Sequence, residues 1–143
     1  MPNDVAQDHF KFVLSQLGAD SYQLGAGRRS WVQYRDFGIS AATGGKFSMF
    51  GARIQKASDL TTGWHYHTCE LLIAYYTSGW IDVYFELGKL TRLEAGSCIS
   101  IPRGMPHNEI RCSDNMELIE FIVGEMGTVT CDEPAAGQSW SSV

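Results

Sequence analysis

From Trp31 onward the chain is a succession of short β-prone runs broken by glycine and Asx punctuation, and this pattern limits the fold more than any other feature. The candidate strands are Trp31–Phe37, Lys46–Gln55, Thr62–His67, Glu70–Thr77, Trp80–Leu87, Ser97–Ile101, His107–Arg111, Glu117–Val123 and Thr128–Cys131. Between them stand Thr43-Gly44-Gly45, Ser78-Gly79, Leu87-Gly88-Lys89, Ala95-Gly96 and Ser113-Asp114-Asn115, residue types that reverse the chain. Short strands at this spacing read as an all-β sandwich or barrel. Fifteen glycines in 143 residues agree with many tight turns and disfavour a helical bundle.

The length suggests one domain. Upstream of the strands, Asp4 with Gln7 resembles a capping pair, and Phe10, Val13, Leu14 and Leu17 follow helical spacing up to Gly18. The expected organisation is therefore an N-terminal helix and arm over 1–30, a β-barrel over 31–131 and a flexible tail over 132–143. His9 reads as a surface residue of that helix. A net charge of −5 and no basic stripe argue against nucleic acid, since Arg28-Arg29 is the one adjacent basic pair. The longest apolar run, Leu71–Tyr76, is far short of the ~20 residues that span a bilayer. Cys69, Cys98, Cys112 and Cys131 are widely spaced without a CxxC, and the start of the chain has no apolar signal-like region. Free thiols in a cytoplasmic protein are the expectation.

Three of the four histidines fall in two segments, Gly63-Trp64-His65-Tyr66-His67 and Pro102-Arg103-Gly104-Met105-Pro106-His107. Neutral imidazole is a common ligand for divalent metals near pH 7. On a strand, His-x-His points both rings to one face. A third His after a Pro-x-Gly turn can close the site from a neighbouring strand.

These segments resemble the cupins, small jelly-roll β-barrels whose first motif reads G-x5-H-x-H-x3/4-E-x6-G and whose second reads G-x5-P-x-G-x2-H-x3-N. His65, His67 and Gly79 fit the first motif, while Gly96, Pro102, Gly104 and His107 fit the second. Sixteen residues separate the two, a cupin-like interval. The resemblance implies a metal held by His65, His67 and His107 inside a jelly-roll barrel.

Departures from the motifs carry information. The first-motif glycine falls at Gly63, with Asp59 at the usual place. Leu72 stands seven residues before Gly79, where the family's Glu ligand belongs. Glu70 is the one acid nearby; its odd offset from His67 puts it on the opposite face unless a β-bulge near Cys69 turns it inward. Glu70 is thus a possible fourth ligand, and Leu72 otherwise forms apolar wall. Cys69 suits either a small buried apolar role or a soft thiolate ligand for Zn or Cu(I). Arg111 replaces the second motif's Asn, either anchoring a substrate carboxylate or sitting at the surface beside an acid such as Glu109. Leu72, Tyr76, Met49 and Arg111 are the candidate substrate-pocket residues.

Three neutral ligands leave open metal positions, as in three-His cupin dioxygenases. The resemblance therefore implies one divalent metal per chain, Fe(II) first, with Mn, Ni or Zn as alternatives. It implies an oxidoreductase of dioxygenase type acting on a small organic molecule. Metal-dependent isomerases, lyases and cyclases share the barrel, as do non-catalytic binding or sensory cupins, so the fold leaves the choice open. A homodimer is expected, because the N-terminal helix and the aromatic strand Trp31–Phe37 need a surface to cover.

Overall fold

A computed structural model describes residues 10–25, 29–54, 61–86 and 89–135. Its elements run β1 (Gln23–Leu24), β2 (Val32–Asp36), α1 (Ile39–Ala42), β3 (Phe47–Ile54), β4 (His65–His67), β5 (Leu71–Ser78), β6 (Trp80–Glu86), β7 (Lys89–Glu94), β8 (Cys98–Pro102), β9 (Asn108–Cys112), β10 (Glu117–Val123) and β11 (Thr128–Thr130). All strand pairs are antiparallel. One sheet has the order β1-β2-β3-β10-β5-β8; the others are β7-β6-β9 and β11-β4. An isolated bridge between His65 and His107 joins the two smaller sheets.

Alternation builds the core. On β5, Leu72, Ala74 and Tyr76 are buried while Tyr75 and Thr77 are exposed. Leu118 and Ile122 on β10 and Ala52 and Ile54 on β3 extend the same apolar face. Ile81 and Val83 on β6, Leu93 on β7 and Cys112 on β9 complete one cluster with them, so the core lies between the sheets. Among the described residues no ladder joins the six-stranded sheet to the others. The expected barrel is therefore two facing sheets, with closure not made by strand pairing. Gly79 shows why the β5–β6 turn needs glycine: its φ is 66°, and a Cβ there would lie 2.8 Å from the Met116 Cα.

The expected N-terminal helix is corrected. Asp4, Gln7 and His9 lie outside the described residues, and Phe10–Leu17 form no helix. Lys11 N–H donates to Ala42 O at 2.8 Å, and Arg35 Nη2 donates to Ser15 O at 3.1 Å, so this segment is held from outside itself. Its apolar stripe finds no core, with Phe12 91% and Leu14 70% exposed. Helices this short are marginal without a surface to pack on. One turn, α1, is the only helix among the described residues. None there is long and apolar enough to cross a membrane. None of the four cysteines is in a disulfide among the described residues, and Cys69 and Cys112 are buried.

β9 carries a bulge. Val83 pairs with Glu109 and Asp82 with Arg111, leaving Ile110 as the extra residue. Past the bulge Arg111 faces outward, where its Nε donates to Asp82 Oδ2 at 2.7 Å. Arg92, opposite on β7, donates to both oxygens of the same carboxylate at 2.8 and 2.9 Å and lies over the Trp80 ring. Asp82 is thereby buried, and the hydrogen bonds from Arg92 and Arg111 hold its carboxyl at about 2, below the ordinary 3.8. A depressed carboxyl stabilises the fold above its unfolded pKa and stops doing so as pH falls through the folded value. Asp82→Asn should lower the urea midpoint at pH 7, and the gap from wild type should narrow between pH 4 and 2. A gap that stays constant over that range would refute the assignment.

Candidate metal centre

Period-two alternation on β4 turns His65 and His67 to the interior with Tyr66 on the other face. His107 follows the turn after β8, where Gly104 has φ 78° and Met105 N–H returns to Pro102 O at 3.2 Å. Reciprocal backbone bonds, His65 N–H to His107 O at 3.1 Å and His107 N–H to His65 O at 2.9 Å, then set the third ring beside the first. The three side chains are 0, 5 and 1% exposed, and one ring nitrogen from each lies within 4.8 Å of the others.

The remaining ring nitrogens have partners of their own. His65 Nδ1–H donates to Gly63 O at 2.8 Å, and His107 Nδ1–H donates to Met105 O at 3.1 Å. A carbonyl only accepts, so these bonds place a proton on Nδ1, and in the neutral ring the lone pair is then on Nε2. His67 Nδ1 lies 3.1 Å from the Thr128 hydroxyl, which can accept in the same way. Arg29 Nη2 donates to His65 Nε2 at 3.1 Å, which shows that lone pair open to an electrophile. Burial, reinforced at His67 by the neighbouring imidazoles, lowers His65 to about 4 and His67 to about 3. Ligands about 2.1 Å from a common centre stand roughly 3–4 Å apart, a modest contraction from the present spacing. Converging neutral donors with oriented outer partners fit a divalent metal.

The cavity beside them has two parts. An inner pocket of ≈ 40 Å³ lies among core side chains such as Ile81, Val83, Ile101 and Leu118, with space for a few waters but no organic molecule. An outer pocket of ≈ 370 Å³ is lined by Phe50, Ile122, Met126, Thr128 and Gly25. Arg29, Tyr34, His67, Leu72 and Glu120 line both. The larger volume is in the range of small-molecule sites.

Of the residues singled out in the sequence, Leu72 lines both pockets and Tyr76 lines the inner one. Met49 lines neither: alternation on β3 turns it away from Phe50 and Ala52, which do line them. Arg111 lines neither pocket and follows its surface alternative, with Asp82 and not Glu109 as the acid, because the bulge directs it to the outer face. Glu70 is exposed and outside the imidazole cluster, its backbone pairing with Val123 with no bulge to turn it inward. Cys69 is 1% exposed and packs in the apolar core, where burial raises its thiol pKa.

Sequence reasoning missed the polar wall. Glu109 shares the inward parity of His107. Thr62 Oγ1 donates a short hydrogen bond to its Oε2, and Arg29 Nη2 lies 3.5 Å from its Oε1. Burial opposes its charge, but Arg29, the two nearby imidazoles and the Thr62 hydrogen bond together outweigh that and hold the Glu109 carboxyl well below the usual range. Glu120 sits between inward Leu118 and Ile122 on β10, and burial raises its pKa. A lone acid at an inward position of an otherwise apolar strand was the available signal. Arg29, in a connecting segment, gave none.

Neither a family model nor a curated protein sequence matches this chain. Solved structures do resemble it. RemF, a polyketide cyclase from Streptomyces resistomycificus, superposes with TM-score 0.63 at 15% identity, over 85% of this chain and 88% of its own. An RmlC-like cupin from Shewanella frigidimarina gives 0.54 at 14% identity over 77% of this chain and 89% of that one. The chain has the cupin fold. A salicylate 1,2-dioxygenase from Pseudoaminobacter salicylatoxidans, in complex with gentisate, gives 0.54 at 16% identity over 69% of this chain but 29% of its own longer chain. Proteins of different chemistry thus share the fold, and the activity of this chain is left to its site.

Leu72 lines both pockets with His67 and stands where the motif resemblance implies a carboxylate, so Leu72→Glu should place an acid on the cavity wall beside His67. We expect the metal-free variant to lose about 3 kcal/mol or more of stability from the buried charge. Added metal should restore part of that loss. Glu70→Gln should leave metal affinity unchanged. Metal titrations followed by thermal unfolding compare the two, and a large loss in Glu70→Gln alone would overturn the three-histidine set.

Proposed function

We propose that this cupin binds one divalent metal through His65, His67 and His107 and acts as a metal-dependent enzyme on a small organic molecule in the outer pocket. Fe(II) is the first choice, with Mn, Ni and Zn as alternatives, because imidazole ligands discriminate weakly among them. The observation that carries this reading is the set of Nδ1 hydrogen bonds that turn the Nε2 atoms toward one point at the edge of an open pocket, where Arg29 now takes the His65 lone pair a metal would take. When bound, such a metal supplies Lewis acidity or, as Fe(II), redox chemistry toward oxygen.

The chain's own residues set the conditions around it. Leu72, Phe50, Ile122 and Met126 exclude water and pack an apolar body. Thr128 orients His67, and Gly63 and Met105 orient the other two rings. Neutral ligands and an apolar wall support the dioxygenase reading. Glu120 favours a second one. A carboxyl lining the same pocket, with its pKa raised by burial, is suited to give a proton to one atom of a substrate and take one back from another. That chemistry belongs to an isomerase, lyase or cyclase.

Two measurements test the assignment. Protein purified without an affinity tag should carry about one metal per chain, and His107→Ala should hold at least ~10-fold less while keeping its circular dichroism. Full occupancy in that variant would remove His107 from the site. Turnover over catechols, diketones and thiols, measured with and without oxygen, separates the chemistries. Oxygen uptake abolished by chelation supports the dioxygenase. Anaerobic turnover lost in Glu120→Gln supports proton transfer.

We further propose a homodimer. Phe10, Phe12, Leu14, Leu17 and Leu24 are exposed on one stretch, and β1 is the outer strand of its sheet. A second copy of this surface would cover both features. Light scattering should give a dimer at micromolar concentration; a monomer whose residues 10–25 resist protease would contradict it.

A further inference from the structure

Arg29 is the one Arg or Lys among the described residues that line either pocket. It reaches the cavity from the segment between β1 and β2, and its side chain is 23% exposed. Three groups touch it: Tyr34 Oη at 3.5 Å from Nη1, and His65 Nε2 at 3.1 Å and Glu109 Oε1 at 3.5 Å from Nη2. These contacts aim the guanidinium, two of them at the 3.5 Å limit, and leave Nε–H without a partner among the described residues. The Glu109 contact is long and single, while Glu109 itself is held elsewhere. Thr62 Oγ1 donates to its Oε2, Glu109 N–H donates back to Thr62 Oγ1 at 3.1 Å, and Thr62 N–H donates to Glu109 O at 2.9 Å. Glu109 is thus fixed to the wall and cannot follow the guanidinium to form a bidentate pair.

A half-buried guanidinium with free N–H groups, facing an apolar pocket, is a recognition element for a planar anionic group. We propose that Arg29 is the substrate anchor and that this pocket takes an apolar, ring-sized molecule bearing a carboxylate or enolate oxygen. The inference rests on the reading of the site as a metal enzyme, because the same Nη2 stands beside His65 and one anionic group can reach both. Shape agrees. The ≈ 370 Å³ outer pocket offers Phe50, Leu72, Ile122 and Met126 to an apolar body, with Arg29 at its polar margin. Glu120, which lines both pockets with Arg29, would oppose an anion if ionised. Burial and the nearby Glu109 carboxylate push it toward its neutral form, a hydrogen-bond donor. A neutral molecule of the same size would leave the guanidinium with no partner beyond those it already has.

The test uses matched pairs of probes: benzoate, salicylate, phenylpyruvate and 2-naphthoate, each against its neutral carboxamide. Binding to the metal-loaded and metal-free protein is measured by calorimetry, with metal content determined in every sample. At least one carboxylate should bind wild type about 10- to 100-fold more tightly than its amide, the range of a charge-assisted hydrogen-bonded contact. Arg29→Met should erase that gap in protein whose circular dichroism is that of wild type, with a lower thermal midpoint because Glu109 loses its cation. Arg29→Lys should keep a fraction of it, retaining charge without the fork. If Arg29→Met does not fold, Arg29→Gln decides in the same way, since it keeps an amide donor and loses the charge. The proposal is overturned if no carboxylate outbinds its amide in wild type, or if the gap survives removal of the guanidinium. Protein that takes up no metal yet prefers carboxylates through Arg29 would sink the metal reading and leave this one standing. A metal-loaded protein without the preference would do the reverse.

Discussion

The reciprocal backbone pairing of His65 with His107 is the contact on which the rest of the site depends. It stitches β4 to the start of β9 and so makes one surface of two small sheets. Because both residues of an antiparallel pair project to the same side, the bond that joins the sheets also aligns two imidazoles. His67 joins them by alternation alone. The Nδ1 partners at Gly63 and Met105 each lie two residues before their histidine, so the turns that deliver the rings also fix their tautomers. Scaffold and donor set are one construction here.

That economy explains what could be read in the sequence. Strand positions follow from local chemistry, and β10 runs from Glu117 to Val123 as its composition implies. The His-x-His pair needed only period two. Failures came where parity depends on a partner strand. Arg111 stands four residues from His107 and would face inward on an unbroken strand; the extra residue Ile110, visible only against β6, sends it out. Met49 was chosen for being apolar, although its neighbours Phe50 and Ala52 hold the inward register. β7 escaped notice because Lys89–Glu94 is largely exposed and charged, with Leu93 its one buried residue. The helical spacing of Phe10 to Leu17 is real in the sequence, but amphipathicity without a surface to pack on does not make a helix.

The division of the cavity limits chemistry more firmly than the ligand set does. Core side chains fill the space inward of the histidines almost completely, so reacting groups must approach from the outer side. On that side the wall is apolar except for Arg29, Tyr34, Glu120 and Thr128. Their charges partly compensate, since Arg29 is balanced by a carboxylate fixed to Thr62, and Glu120 is discouraged from ionising. A pocket of this kind is polar at a few fixed points and otherwise dry, the condition under which single electrostatic contacts count most.

The bulge in β9 has a consequence for chain length. On its near side the strand presents His107 and Glu109 to the cavity; on its far side it presents Cys112 to the core, with Arg111 reserved for Asp82. Removing Ile110 would close the ladder yet leave every one of those side chains on the face it now occupies, because the deleted residue is the unpaired one. β9 can therefore lose a residue at that point without any of the four residues changing partners, whereas a deletion beyond the bulge has no spare residue to absorb it.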